Sequence, residues 1–447
     1  MKAAQSRFVH VRVGMGAAAW LVAACGGLPP NGGGQDAIDD SGLHDNAEAS
    51  DDATGDGASG SAADSTGSDG AATSDAPDAA SVTTIPLTGC PSLGYAASFA
   101  IGGQPFDLIV DTGSGDLAVA SNACPTCGDV TPVYTPGASA MDQGRQVTSQ
   151  YGIGTWTGEL FSDQVSLSAA SLSTSMKFVA IQSQSQFFPP PPTPPATPGC
   201  DFGAVPFAPQ GIAGFGPSTL ATPRADVFMS RLVAQGLVPN VFAVELCPVG
   251  GQLWIGGFDT QAAATTDVPS YTPMTDSGFY SLTLNDLQLG GQSLGFGAAD
   301  FGTTIVDTGT TSLALQPAML AALTQSIAAN SVFQTSFQGA TGNWLTTNNC
   351  YKAVSPLSAT ELDAMLPGVT LVMPGVAGGT IAIELTATES YLAPSLDGTT
   401  TYYCSGVLAN TAKMASTILG VAAMSAHLII FDAGGMRIGF APQSHCR

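Results

Sequence analysis

The chain has 447 residues, with 11 Lys plus Arg against 34 Asp plus Glu and a formal net charge of -23. A charge of that sign excludes a nucleic-acid binder, which must neutralise phosphates with cations. The length allows a large body of two lobes rather than one small domain. Few basic groups suit a protein that meets low pH, where protonated carboxylates shed charge. They suit a secreted protein kept soluble by acid equally well, so charge alone decides little.

The N-terminus is basic, carrying Lys2, Arg7 and Arg12, and an apolar stretch of 12 residues follows over 13–24. That is too short to span a bilayer and of the length of a signal-peptide core. It ends in Leu21-Val22-Ala23-Ala24-Cys25, which resembles a bacterial lipobox, where small residues precede a lipidated cysteine. The pattern predicts a signal peptide over 1–24 and a lipid on Cys25; an ordinary signal peptide that happens to contain Cys is the alternative. No later segment approaches about 18 uninterrupted apolar residues, so a lipid anchor is the only expected tie to a membrane. The expected location is a bacterial lipoprotein exported across the inner membrane and held on the outer membrane, facing the periplasm or the cell surface. Nine cysteines are present; setting Cys25 aside leaves an even set, enough for bridges in an oxidising compartment.

Residues 26–82 are mostly Gly, Ala, Ser, Thr and Asp, with no Lys, Arg, Phe, Trp or Tyr. Such a composition cannot bury enough apolar surface to offset its ordering entropy. It predicts a flexible acidic linker over 25–84. Beyond it, short alternating or β-branched runs occupy 97–101, 106–110, 146–151, 155–160, 164–167 and 177–181. Gly, Pro, Asn and Asp punctuate them, which predicts an all-β fold with a few short helices. The expected helices are 226–235 with Asp226 at its start, 317–329 with Pro317 in its first turn, and 358–366. The Pro-rich run 189–198 predicts polyproline II in a surface loop insertion.

An internal repeat organises the rest. Ile109-Val110-Asp111-Thr112-Gly113-Ser114 recurs in kind as Ile305-Val306-Asp307-Thr308-Gly309-Thr310. Each copy is followed about a hundred residues later by two apolar residues and a glycine, Ile212-Ala213-Gly214 and Ile418-Leu419-Gly420. One Asp-Thr-Gly is only a strand ending in a turn. Two copies with matching flanks predict two similar lobes that bring Asp111 and Asp307 together on a pseudo-twofold axis. At about 3 Å two carboxylates share one proton, because like charges that close cannot both ionise. The ionised member can then take a proton from water while the protonated one hydrogen-bonds a substrate carbonyl.

On these motifs the chain resembles the pepsin-like aspartic proteases over roughly residues 90 to 447. Tyr151-Gly152-Ile153-Gly154-Thr155-Trp156 resembles that family's flap hairpin, with Tyr151 as its tyrosine and Gly152 and Ile153 at its tip. Leu253-Trp254-Ile255-Gly256-Gly257-Phe258-Asp259, Gly278-Phe279-Tyr280, Phe431-Asp432 and Ile438-Gly439-Phe440-Ala441 resemble later family segments in family order. The resemblance implies a bilobal acid-protease fold with lobes over 85–260 and 261–447 and a central cleft. It implies an aspartic endopeptidase that cuts peptide or protein substrates at acidic pH, working as a monomer without cofactor or metal. It also implies that Thr112 and Thr308 cross-link the two loops and that Ser114 and Thr310 orient their aspartates, with Gly113 and Gly309 completing the motifs. In the family a Trp after the first motif holds the flap tyrosine; Ala118 stands there instead. A catalytically inactive binding or inhibitor protein of the same fold is the rival reading, and it normally carries damage in one motif.

The resemblance further implies bridges Cys124 to Cys127 and Cys350 to Cys404. Cys90, Cys200, Cys247 and Cys446 remain, and Cys90 with Cys200 and Cys247 with Cys446 is the expected pairing. His427 and His445 are the only histidines of the folded region. Neither lies near a nucleophile motif or an acidic cluster, which argues against a serine or cysteine hydrolase and a zinc site.

Overall fold

The computed structural model describes residues 24–25, 82–152, 154–188, 208–260, 268–337, 344–346, 350–355, 357–397, 400–410, 417–443 and 446. The expected signal peptide up to residue 23, most of the expected linker, the Pro-rich run, Ile153, Cys200 and His445 therefore lie outside the described residues.

The chain folds predominantly as β-structure, and the repeat read in the sequence is a repeat of strand topology. In the first copy Gly211–Gly214 lies parallel to Gln104–Asp111 on one side and antiparallel to Leu117–Ala120 on the other. In the second, Thr417–Leu419 lies parallel to Thr304–Val306 and antiparallel to Leu313–Leu315. The outer neighbours match as well. Leu117–Ala120 runs parallel to Ser173–Ser185, as Leu313–Leu315 does to Val407–Ala409. Gln104–Asp111 runs antiparallel to Gly94–Ile101, as Thr304–Val306 does to Ser281–Leu282.

The glycine that closes each apolar pair is required by close approach. A Cβ on Gly214 would lie 2.5 Å from Gly115 C and 2.6 Å from Ser114 O, and one on Gly420 would lie 2.3 Å from Ser312 O. The loop after each aspartate thus packs directly on the backbone of the neighbouring strand, which only a residue without a side chain permits.

Strands from both halves of the chain share one long sheet. Its order runs from Met141–Tyr151 through Thr155–Leu167, Ser173–Ser185, Leu117–Ala120, Gly211–Gly214, Gln104–Asp111, Gly94–Ile101 and Thr83–Cys90. It continues through Gly251–Ile255, Val241–Leu246, His427–Asp432, Arg437–Pro442 and Ser270–Pro273. The pair Ala24–Cys25 adds to its first edge, Ala24 opposite Tyr151 and Cys25 opposite Gln150. Residues 261–267, beside the expected lobe boundary, lie outside the described residues. Beneath the shared sheet Phe242 stacks on Phe431 at 4.7 Å between ring centroids, and Tyr280 and Phe215 pack edgewise on them. Buried aromatics of this size contribute about 1.5–3 kcal/mol each, so the junction is held mainly by apolar burial.

The expected helices form at Phe228–Ala234, Pro317–Ala329 and Ala359–Met365. The last carries a capping box in which Ser358 and Glu361 satisfy each other's backbone N–H. Asp226 does not cap its helix. Val227 is the N-cap, without a side-chain bond, and Asp226 accepts instead from the backbone N–H of Lys177 at 2.8 Å. The runs 155–160 and 164–167 form one strand, Thr155–Leu167, because the intervening residues pair with Ser173–Ser185. Among the described residues no helix is long and apolar enough to cross a membrane.

Bridges join Cys124 to Cys127, Cys247 to Cys446 and Cys350 to Cys404. Cys90 is also disulfide-bonded; Cys200, its expected partner, lies outside the described residues.

Candidate active site

Each aspartate is the end point of its strand. Asp111 closes Gln104–Asp111, and Asp307 follows Thr304–Val306 directly. A strand fixes where its last side chain points, and the tight turn after it folds backbone N–H groups back onto the carboxylate. The N–H of Gly113 donates to Asp111 Oδ1 and that of Gly309 to Asp307 Oδ1, each at 2.8 Å. The hydroxyl of Ser114 donates to Asp111 Oδ2, and that of Thr310 donates to Asp307 Oδ2 at 2.6 Å. Both carboxylates are fully buried.

The two turns are tied across the pseudo-twofold axis. The N–H of Thr112 donates to Thr308 Oγ1 and the N–H of Thr308 donates to Thr112 Oγ1, both at 3.0 Å. Each hydroxyl then donates to the carbonyl before the opposite aspartate. Thr112 Oγ1 reaches Val306 O at 2.9 Å and Thr308 Oγ1 reaches Val110 O at 2.6 Å. Four buried hydrogen bonds with no slack fix the two carboxylates relative to each other. Gly113 leaves room for this: a Cβ there would lie 2.6 Å from Asp307 Cγ.

Burial pushes the Asp111 carboxyl well above the usual carboxylate range. The charge of Asp307 and the hydrogen bond between the two carboxyls push it further, and Ser114 and Gly113 oppose. Burial also raises Asp307, while hydrogen bonds with Asp111, Thr310, Gly309 and Gly113 pull it back. The pair therefore holds a proton to higher pH than a lone carboxylate and titrates as a unit.

Above the pair, Met141–Tyr151 and Thr155–Leu167 form a hairpin whose turn is closed by the Tyr151 N–H donating to Gly154 O at 2.9 Å. Tyr151 is buried, and Gly152 is exposed at the tip. Burial raises the Tyr151 hydroxyl pKa first, and the negative charges of Asp116 and Asp111 raise it further.

The sequence reading missed Trp156. Its ring lies 6.3 Å from that of Tyr151, and both pack in the cluster that contains Ala118. The Tyr151 hydroxyl and the Trp156 indole N–H are both buried and have no partner at hydrogen-bonding geometry. Ser149 and Trp156 are nonetheless the groups that pull the tyrosine pKa back down. Trp156 stands on the opposite arm of the hairpin from Tyr151 and packs in the cluster where Ala118 leaves no indole. The signal was present in the register: Trp156 pairs with Ser149, which shares a face with Tyr151 two residues on.

Two further groups were missed. Asp116 is buried, and its Oδ1 accepts from Thr222 N at 2.8 Å and from Thr222 Oγ1 at 3.0 Å. Burial pushes its pKa up to about 6, with the two Thr222 bonds opposing. Phe187, 5.3 Å from Tyr151, and Phe188, 4.9 Å from Phe187, form an aromatic wall beside the flap. Among the described residues, the one group with metal-ligand spacing is Glu245, Cys247 and Cys446, and both its thiols are spent in a disulfide.

The profile of the family described as eukaryotic aspartyl protease matches residues 94–443. A beta-secretase of Strongylocentrotus purpuratus is 26% identical over 385 residues, covering 79% of this chain and 67% of that protein. A cathepsin D of Dictyostelium discoideum is 28% identical over 376 residues, covering 80% and 86%. A cathepsin E-B of Xenopus laevis is 26% identical over 368 residues, covering 80% and 81%. The matched span takes in both aspartate turns, the crossed threonines and the hairpin above them, and the chain belongs to the eukaryotic aspartyl protease family.

Proposed function

We propose that Asp111 and Asp307 are the catalytic pair of this aspartic endopeptidase. The observation that carries the assignment is the crossed Thr112 and Thr308 bonding, which holds two buried carboxyls against each other. With one proton between them, the ionised carboxylate removes a proton from a water molecule, and the water oxygen attacks the peptide carbonyl carbon. The protonated carboxyl hydrogen-bonds the carbonyl oxygen as charge develops there. The tetrahedral intermediate then collapses, the C–N bond breaks, and a carboxyl proton passes to the leaving nitrogen. The flap shields this exchange from bulk water.

The substrate is a peptide or protein held extended. The rival reading, an inactive binding protein, normally carries a damaged motif; both aspartate turns here carry their full set of hydrogen bonds.

A denatured protein incubated with the purified enzyme at pH 3 to 5 should be cleaved, and pepstatin should stop the cleavage. Asp111→Asn and Asp307→Asn should each lower kcat by about 10²- to 10⁴-fold or more. Absence of pepstatin-sensitive cleavage at every pH would sink the assignment.

The same proposal places residues 1–24 as a signal peptide, lipid on Cys25, a linker over 25–84 and lobes over 85–260 and 261–447. It makes the mature protein a monomer tethered to a bacterial outer membrane. Support comes from the small residues before Cys25 and the acidic, Gly-rich stretch after it. Cys25→Ser should move the protein from the membrane fraction to the soluble fraction; unchanged membrane association would rule out the anchor.

A further inference from the structure

The flap's second arm is not free. Thr155–Leu167 pairs with Ser173–Ser185 up to the hairpin tip, Thr155 opposite Ser185 and Trp156 opposite Gln184. Just past this ladder the chain turns at Gln186, which has φ 58, a left-handed conformation that a non-glycine residue keeps only when its surroundings impose it. The imposing group is the Gln184 side chain. Its Oε1 accepts from the N–H of Phe187 at 2.9 Å and of Phe188 at 3.2 Å.

Gln184 is itself tied down. Its Nε2 donates to Thr126 O at 2.5 Å, and its backbone N–H donates to Thr126 Oγ1 at 2.8 Å. Thr126 sits inside the loop closed by the Cys124 to Cys127 bridge. The fastened turn is the surface on which the flap rests. A Cβ on Gly154 would lie 2.6 Å from Phe187 N and 2.7 Å from Gln186 C. The Tyr151 ring lies 5.3 Å from that of Phe187. The closed flap therefore depends on where residues 185–188 stand.

We propose that Gln184 is a positioning residue for the flap: its amide clamps the 185–188 turn to the Cys124 to Cys127 loop and so fixes the ledge on which Tyr151 and the flap tip close. The kinetic part of the proposal rests on the protease reading above; the structural part does not. Gln184 touches neither aspartate, so its loss should change flap closure and leave the dyad as it is.

The test compares Gln184→Ala and Gln184→Glu with the wild-type protein. In Gln184→Ala, amide hydrogen exchange over residues 150–155 should quicken by about tenfold, the worth of one lost clamp. In peptide cleavage KM should rise by about tenfold, with kcat within about twofold and an unchanged pH profile. Gln184→Glu keeps the acceptor for both N–H groups but sets a carboxylate oxygen against Thr126 O in place of the Nε2 donor, so the tie to the loop is lost and both effects should persist. Unchanged exchange in Gln184→Ala would overturn the proposal, and so would a kcat loss as large as the KM change. If Gln184→Ala fails to fold, Gln184→Met, which keeps the length of the side chain and loses both amide atoms, is judged by the same two readings. Should the wild-type protein show no pepstatin-sensitive cleavage, the protease reading fails, and hydrogen exchange alone decides the ledge.

Discussion

Gly113 shows how little space the dyad leaves. The Asp307 carboxylate occupies the position a side chain would take, 2.6 Å from an ideal Cβ. A methyl group there must push Asp307 away from Asp111 or tilt the turn that presents both. Gly113→Ala should therefore lower kcat by about a hundredfold, the cost of misplacing a reacting group by about 1 Å. It should lower stability by only about 1–3 kcal/mol, the usual range for overpacking. Thermal unfolding beside single-turnover kinetics separates the two. A variant that unfolds without a specific loss of turnover would show that Gly113 serves packing alone.

Asp116 links two elements, the turn after Asp111 and the segment that follows the 3-10 turn Ser218–Leu220, through its two bonds from Thr222. Its folded pKa of about 6 lies above the ordinary aspartate value of 3.8 because burial disfavours the charged form. The folded protein therefore binds this proton more tightly than the unfolded chain. The stability it contributes is fully present below about pH 4 and is lost as pH rises through about 6. Asp116→Asn keeps the Oδ1 acceptor for both Thr222 donors and cannot ionise. Wild-type protein should lose on the order of 2–3 kcal/mol more than Asp116→Asn between pH 4 and pH 7. Equal loss in urea titrations at the two pH values would show that Asp116 remains ionised in the fold.

Over the whole molecule a buried group, Asp116, and a half-buried one, His427, pull in opposite directions with pH. Burial lowers His427 from 6.5 to about 4, and its Nδ1 has no hydrogen-bond partner. The neutral form is the one that folds, so as pH falls below about 6.5 the unfolded chain takes the proton first. His427 then destabilises the fold until about pH 4. Asp116 and the dyad gain stability over the same range. His427→Gln should raise the Tm at pH 4 by more than at pH 7, the difference corresponding to a stabilisation on the order of 2 kcal/mol at most. An equal change in Tm at both pH values would show that the imidazole stays charged or exposed. The net charge of -23 at pH 7 works in the same direction as Asp116, since protonating carboxylates relieves self-repulsion.

The duplicated aspartate strands and the helix over Pro317–Ala329 were legible in the residue order. Strand alternation, turn residues and an internal repeat are local or periodic signals. The glycines after each apolar pair were legible as a pattern, although their cause, backbone packed within 3 Å, belongs to the folded state. Other features depend on contacts between distant segments. Trp156 packed in the cluster of Ala118, Asp116 bonded to Thr222 and Gln184 clamped to Thr126 bring together residues 38, 106 and 58 positions apart. Composition and spacing carry no record of such pairings, because which strand lies beside which is settled only when the core closes. The sequence alone therefore determined that this chain carries two matched carboxylate turns. The tertiary structure decided how closely they approach, how their proton is shared, and what holds the flap above them.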